Sequence, residues 1–297
     1  MKQNFPPMPA ALDGQREEFD SRAGRISTYV GGDGPPLLLI HSINASGSAY
    51  EVKPLYDHYA KTRRVYAPDL PGFGFSERSN RRYDVALYTD AIRVMVEYIA
   101  ARQPGVALDA VALSLSSEFL ARAALSLPDQ LNGLAFITPT GFRRGSQRLR
   151  EPAGSTRQIA WLQRVLSAPL WRRRLFRALT SPRSIRYFLK RTWGSDNIDE
   201  GLAAYDDIIT NQPGSEFAPL AFLGGGLFSK DIRDVYERLT QQVWLGHGTR
   251  GDFKDFSEAT WTEQRANWTK VAFDAGALPH FECPDEFFPP LDDFLRK

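Results

Sequence analysis

The sequence predicts an α/β fold, a mostly parallel sheet with helices on both faces, and three observations predict it. Leu37 to Ile40 and Leu108 to Leu113 are short, nearly continuous apolar runs, the mark of strands buried on both faces of a parallel sheet. Segments with helical spacing, such as Val85 to Ala101 and Phe119 to Leu127, alternate with such runs in a βαβ rhythm. The chain has 297 residues, 42% of them hydrophobic, enough for a full-sized core.

The elements follow in order. Glu17 to Ser21 and Arg25 to Val30 read as two short strands, and Gly31-Gly32-Asp33-Gly34-Pro35-Pro36 is a dense turn signal. Leu37 to Ile40 ends at the small, polar loop His41-Ser42-Ile43-Asn44-Ala45-Ser46-Gly47, and a helix is expected near Tyr50 to Tyr59. Val65 to Ala67 is the next strand, followed by Asp69-Leu70-Pro71-Gly72-Phe73-Gly74-Phe75-Ser76, whose proline and glycines fix a turn. Gly133 to Ile137 and Val243 to Leu245 are further strands. Between them the rhythm changes to short helices: Gln158 to Leu170, Arg172 to Leu179, Ser184 to Trp193 and Gly201 to Ile209, broken by prolines. The aromatics of this helical stretch suggest an apolar pocket roof, although most suit its own core.

Composition excludes several classes. Cys283 is the sole cysteine, so no intrachain disulfide or cysteine-rich metal cluster can form, and a reducing compartment is expected. No apolar run reaches the length of a signal peptide or a membrane span, so a cytoplasmic protein is expected. The net charge of +2 argues against a nucleic-acid binder. That average hides an asymmetry: Arg143 to Arg191 carries fourteen Lys or Arg and one acid, Glu151, or about +13. Pairing with the acids of the remaining chain is the expected role of these charges. Steering of an anionic substrate and weak peripheral contact with an anionic membrane are the alternatives.

The chemistry centres on Ser114. An apolar strand ends there, small residues (Ala112 and Ser116) stand two positions to either side, and an amphipathic helix follows at once. A nucleophile elbow needs this arrangement, since a tight strand-to-helix turn lifts the serine oxygen from the sheet and aims a helix N-terminus at the developing charge. A serine hydroxyl also needs an imidazole to take its proton and a carboxylate to hold that imidazole. Of the four histidines, His58 lies in a charged helical stretch, His41 suits a loop-ordering role and His247 suits a turn. His280 fits best, in a loop before the last helix and after every other candidate partner.

Taken together, His41-Ser42-Ile43, Asp69 to Ser76, Ser114 on its elbow and Gly276-Ala277-Leu278-Pro279-His280 stand in the order and spacing of the α/β-hydrolase superfamily. The resemblance spans Arg25 to Phe142 and Gln242 to Arg296. It implies a core of residues 1–141 and 235–297, with residues 142–234 as a helical cap inserted after the sixth strand. It further implies Ser114 as nucleophile, His280 as general base, and an acid after the seventh strand. Asp252 is the nearer acid; Gly251 adds one residue to the commoner Gly-x-x-Asp spacing, which keeps Asp255 as the alternative. The oxyanion donors it implies are the N–H groups of Leu115 and Ile43, with His41, Ser42 and Asn44 beside the substrate. No metal or organic cofactor is implied.

The expected activity is therefore serine hydrolysis of a carboxylic ester, or a related apolar acyl compound, through an acyl-enzyme. A nucleophilic aspartate would have indicated a dehalogenase or an epoxide hydrolase. Carbon-carbon bond hydrolysis and acyl transfer use the same triad and stay open. So does a ligand-binding or accessory protein of this fold with little turnover.

Overall fold

The computed structural model describes residues 7–146 and 151–296. Arg148 and Arg150 of the basic run lie outside the described residues. In chain order the first part comprises β1 (Gln15–Phe19), β2 (Ile26–Gly31), β3 (Pro36–Ile40), a 3₁₀ turn (Ala49–Val52), α1 (Lys53–Tyr59), β4 (Arg64–Asp69), α2 (Val85–Arg102), β5 (Leu108–Leu113), α3 (Ser116–Ser126) and β6 (Leu131–Ile137). Six helices come next: α4 (Ala160–Leu166), α5 (Arg172–Leu179), α6 (Pro182–Trp193), α7 (Glu200–Thr210), α8 (Phe217–Leu223) and α9 (Ile232–Glu237). The chain returns through β7 (Gln242–Gly248), a 3₁₀ segment (Ser257–Gln264), β8 (Trp268–Phe273), α10 (Pro279–Glu282) and α11 (Pro284–Leu295).

The eight strands form one sheet in the order β1-β2-β4-β3-β5-β6-β7-β8. β2 pairs antiparallel with both β1 and β4, and every later pairing is parallel. Apolar alternation explains the two layers. Leu38 and Ile40 of β3 join Ala110 and Ala112 of β5 in a core beneath α2, α3 and α9, while Leu37, Leu39, Val111 and Leu113 face α1 and α11. Every residue of β3 and β5 is buried, as their unbroken apolar character implies. The Arg63–Asp109 ion pair, at 2.6 Å, is buried at the opposite, N-terminal end of β5.

Several boundaries differ from the sequence reading; the helix expected over Gln158 to Leu170, for example, is confined to Ala160–Leu166. The first strand runs from Gln15, two residues earlier than expected, because the pairing of Phe19 with Ile26 sets its register. The division at 234/235 falls inside α9, whose Ile232, Val235 and Tyr236 are buried in the core beneath α3.

Candidate functional site at the Ser114 turn

β5 ends at Ser114, which adopts φ +49°, a left-handed conformation uncommon for a residue with a side chain. The turn is held on both sides. Ser114 N–H donates to the Ile137 carbonyl at 2.9 Å, and its own carbonyl accepts from Ser117 N–H at 3.2 Å. The small flanking residues have definite roles. Ala112 is fully buried, and the Ser116 hydroxyl donates to the His41 carbonyl at 2.6 Å, tying the start of α3 to the loop after β3. Thr138, just beyond β6, is the other described residue besides glycine with positive φ, at +48°. Its hydroxyl donates to the Ala277 carbonyl at 2.8 Å and its N–H to the Gly246 carbonyl at 2.7 Å, so the loops after β6 and β8 and the end of β7 are stitched together beside Ser114.

The loop after β3 is organised by a buried carboxylate that sequence reasoning missed. Glu51 accepts from Ser42 N–H at 2.7 Å, the Ser42 hydroxyl at 3.0 Å and Asn44 Nδ2 at 2.6 Å. Burial pushes its carboxyl above the usual range, against those hydrogen bonds. Asp206 of α7 lies near Glu51 and Ser46, and burial, followed by the Glu51 charge, pushes it well above the usual carboxylate range. A glutamate in the first turn after a polar loop was the only sequence signal for this arrangement. His41 has both ring nitrogens occupied: Nδ1 meets the Ser42 carbonyl at 2.6 Å and Nε2 accepts from Leu70 N–H at 2.9 Å. It joins two loops and is fully buried. Among the described residues the N–H groups of Ile43 and Leu115 meet no acceptor, and Ile43 and Leu115 are themselves buried.

The three expected triad members are not connected. His280 Nε2 contacts the Glu51 carbonyl at 2.8 Å, so it is the nitrogen that bears the proton, and Nδ1 is buried without a partner. Phe281 and Phe287 pack on the ring with centroids at 5.0 and 5.7 Å. Burial pushes the imidazole down to about 4, which keeps it neutral. Asp252 points elsewhere: Oδ2 accepts from Arg191 Nε at 2.6 Å, on the surface. Asp255 accepts from Ser257 and from Arg144 N–H, bonds that hold its carboxyl below the usual range. Neither acid touches His280. The remaining imidazoles are also engaged elsewhere, His58 with Asp292 at 3.0 Å and His247 with the Gly248 carbonyl at 3.0 Å and the Phe256 ring. Among the described residues no imidazole is hydrogen-bonded to Ser114.

The C-terminal turn of α6 lies against both of the loops concerned. Its carbonyls accept from both loops that would deliver acid and base: Arg191 O from Asp252 N–H at 3.0 Å, and Thr192 O from Ala277 N–H at 3.0 Å. Glycines allow the approach. A Cβ on Gly251, at φ +74°, would lie 2.7 Å from both carbonyl oxygens, and one on Gly276 would lie 2.4 Å from Thr192 O. The loop position tied to Thr138, beside Ser114, is therefore filled by Ala277, which has no side chain able to take a proton. Trp193 then packs on Phe281 and is buried in the core layer around α1 and α11. A cavity of about 430 Å³ runs along α2, lined by Asp84, Val85, Thr89, Asp90, Arg93 and Arg122 among others, away from Ser114. No group of three His, Cys, Asp or Glu among the described residues is arranged to hold a metal ion.

An eight-stranded sheet with this order and a serine on a strained turn after β5 define an α/β-hydrolase fold, and comparison with known proteins agrees. The model of the alpha/beta hydrolase family matches residues 37–289, and the chain belongs to that family of hydrolytic enzymes. Haloalkane dehalogenase 2 of Mycobacterium tuberculosis (strain ATCC 25618 / H37Rv) is 33% identical over 102 residues, so the match spans about a third of each protein, 33% of this chain and 34% of the dehalogenase. Among solved structures, a meta-cleavage product hydrolase from Pseudomonas fluorescens IP01 superposes with TM-score 0.71 at 18% identity, covering 94% of this chain and 97% of that one. A thermophilic esterase from Thermogutta terrifontis gives TM-score 0.67 at 18% identity over 95% and 98%.

Proposed function

We propose that this protein binds a small apolar acyl compound at the Ser114 turn and hydrolyses esters far more slowly than a serine enzyme with a connected triad. One observation carries the reading: none of the four imidazoles is hydrogen-bonded to Ser114, and His280 is committed to the Glu51 carbonyl. A serine hydroxyl without a base stays protonated at neutral pH and attacks poorly. What persists is recognition. Free N–H groups at Ile43 and Leu115 suit a ligand carbonyl oxygen, and the N-terminus of α3 adds favourable potential there.

A second reading is favoured by the strained φ of Ser114, since such strain is kept at sites that use it. In it Ser114 is the nucleophile of an ester hydrolase, His280 its base and Asp252 the acid, after the α6 turn withdraws. Carbon-carbon bond hydrolysis and acyl transfer share that arrangement.

Fluorophosphonate labelling with an ester panel of graded chain length separates the two readings. For the binding protein, labelling is slow, ester turnover is near background and unchanged by Ser114→Ala, and apolar acyl ligands still raise the melting temperature. Rapid labelling of Ser114, with Ser114→Ala losing roughly 10⁴ in turnover, establishes the hydrolase instead.

A further inference from the structure

The helices between β6 and β7 present a surface that the Ser114 site does not use. Eight of the ten well-exposed large hydrophobic side chains among the described residues lie between Ile159 and Leu223, and Leu170 is 85% and Trp161 66% exposed. α4 has apolar residues on every turn yet buries none of them. Trp161 and Val165 lie one helical turn apart on one face, and Trp171 donates its indole N–H to the Val165 carbonyl at 3.0 Å, which joins Leu170 and Trp171 to that patch. On α6, Tyr187 and Phe188 are both exposed and touch each other.

Basic residues border these side chains, and the structure shows which are paired. Arg186, Lys190 and Arg191 meet Glu200, Asp196 and Asp252, and Arg172 sits over Phe217 with Glu216 at 3.9 Å. Arg164, Arg174, Arg177 and Arg183 have no acidic partner among the described residues. Pairing with acids therefore explains only part of the charge. Arg164 stands between Trp161 and Val165 on α4, Arg174 about one turn beyond Trp171, and Arg177 and Arg183 are exposed on α5 and α6. Guanidinium groups without acidic partners, interleaved with exposed Trp and Leu, complement anionic headgroups in charge and acyl chains in apolarity. Exposed rings such as Trp161 and Trp171 could stack on bases, but the most exposed side chain, Leu170, and its neighbour Val165 are aliphatic and gain nothing from stacking; burial in acyl chains uses rings and aliphatic groups alike, which favours lipid as the occupant.

We infer that the exposed face of α4 to α6 docks on the surface of an anionic lipid bilayer, with Trp161, Leu170 and Trp171 entering the headgroup region and Arg164, Arg174, Arg177 and Arg183 pairing with lipid phosphates and carboxylates. No spanning segment is involved: among the described residues no helix is long and apolar enough to cross a membrane.

Sedimentation of the full chain with phosphatidylcholine vesicles, with and without phosphatidylserine, tests this. At low salt the protein should pellet with the serine-containing vesicles alone and be released at roughly molar salt. Replacing Arg164, Arg174, Arg177 and Arg183 by Gln should weaken partitioning by roughly tenfold or more. Trp161→Ser with Leu170→Ser should abolish it although the charge is intact. Quenching of the unaltered chain's tryptophan fluorescence by brominated anionic lipid gives the same answer without relying on a variant's folding. Ser114→Ala should bind vesicles like the parent whichever reading of the Ser114 site holds. Absence of both pelleting and quenching at low ionic strength overturns the proposal, as does undiminished binding by the Gln variant. A dimer dissociated by Leu170→Ser without vesicle binding would assign the face to a second copy, and retention on single-stranded nucleic acid alone would assign it there.

Discussion

The loop that carries Ser42, Ile43 and Asn44 is shaped from behind by Glu51, whose carbonyl also fixes the proton on His280. This makes His280 a buried neutral donor, and its titration tests the placement. Its imidazole titrates at about 4 in the fold against 6.5 for an ordinary histidine. Such a depressed value means that the unfolded chain binds the proton first, so the contribution to stability is complete above pH 6.5 and is lost as pH falls toward 4. Gln at this position can still donate to the Glu51 carbonyl but cannot titrate, while the buried carboxylates of Glu51 and Asp206 titrate in both proteins. The stability advantage of the parent over His280→Gln in urea should therefore shrink by about 3 kcal/mol between pH 7.5 and about pH 4. A difference that stays constant over that range would mean an exposed His280. Ala277 offers the converse test, because a base is missing where the loop meets Thr138. Ala277→His should speed phosphonate labelling of Ser114 roughly tenfold, less than the roughly 10²–10⁴ of a positioned base, because no carboxylate orients the new ring. Unchanged labelling in a folded variant would show that residue 277 does not face the serine.

Among the elements, the last turn of α6 decides how the site is closed. Gly194 ends the helix in the left-handed conformation, and the Arg191 and Thr192 carbonyls are satisfied by the loops after β7 and β8. Contacts of this kind tolerate no added Cβ. Gly251→Ala would place a methyl against the Arg191 and Thr192 carbonyls in a backbone conformation that disfavours alanine, and Gly276→Ala would press on Thr192 and Trp193. Each should cost about 1–3 kcal/mol in denaturant unfolding. Gly105→Ala, also at positive φ but with nothing within 4 Å, should lose only the conformational part, about 1 kcal/mol. Equal losses at all three positions would show that the α6 contact adds nothing. If the closed turn restrains Ser114, phosphonate labelling should also quicken in the Gly276 variant.

For the molecule as a whole, the sheet was legible because parallel strands buried on both faces read as unbroken apolar runs, and the Ser114 turn because small residues flank a serine between a strand and a helix. The partners of Ser114 were less legible. Chain order favours His280, yet order does not say that its ring is held under the β3 loop, and a turn carboxylate such as Asp252 looks the same in sequence whether it meets an imidazole or Arg191. Ile232 to Tyr236 went unread because a six-residue helix barely completes a hydrophobic period. The same contrast between buried strands and exposed helices sets the distribution of stability. Trp193, Leu202, Tyr205 and Ile209 anchor α6 and α7 in the core layer, but α4 buries no side chain and α5 only Phe176. Local opening is cheapest where least apolar surface is buried, so α4 and α5 should open without disturbing the sheet. In native-state hydrogen exchange, amides of 160–179 should exchange far ahead of those in β3, β5 and β6, and their exchange should depend little on denaturant. Limited trypsin digestion should cut first among Arg164, Arg173, Arg174 and Arg177 and leave a folded sheet behind. Protection of α4 equal to that of β5 would mean that these helices are held by contacts the isolated chain does not show, and a first cut within α2 or α3 would refute the ranking.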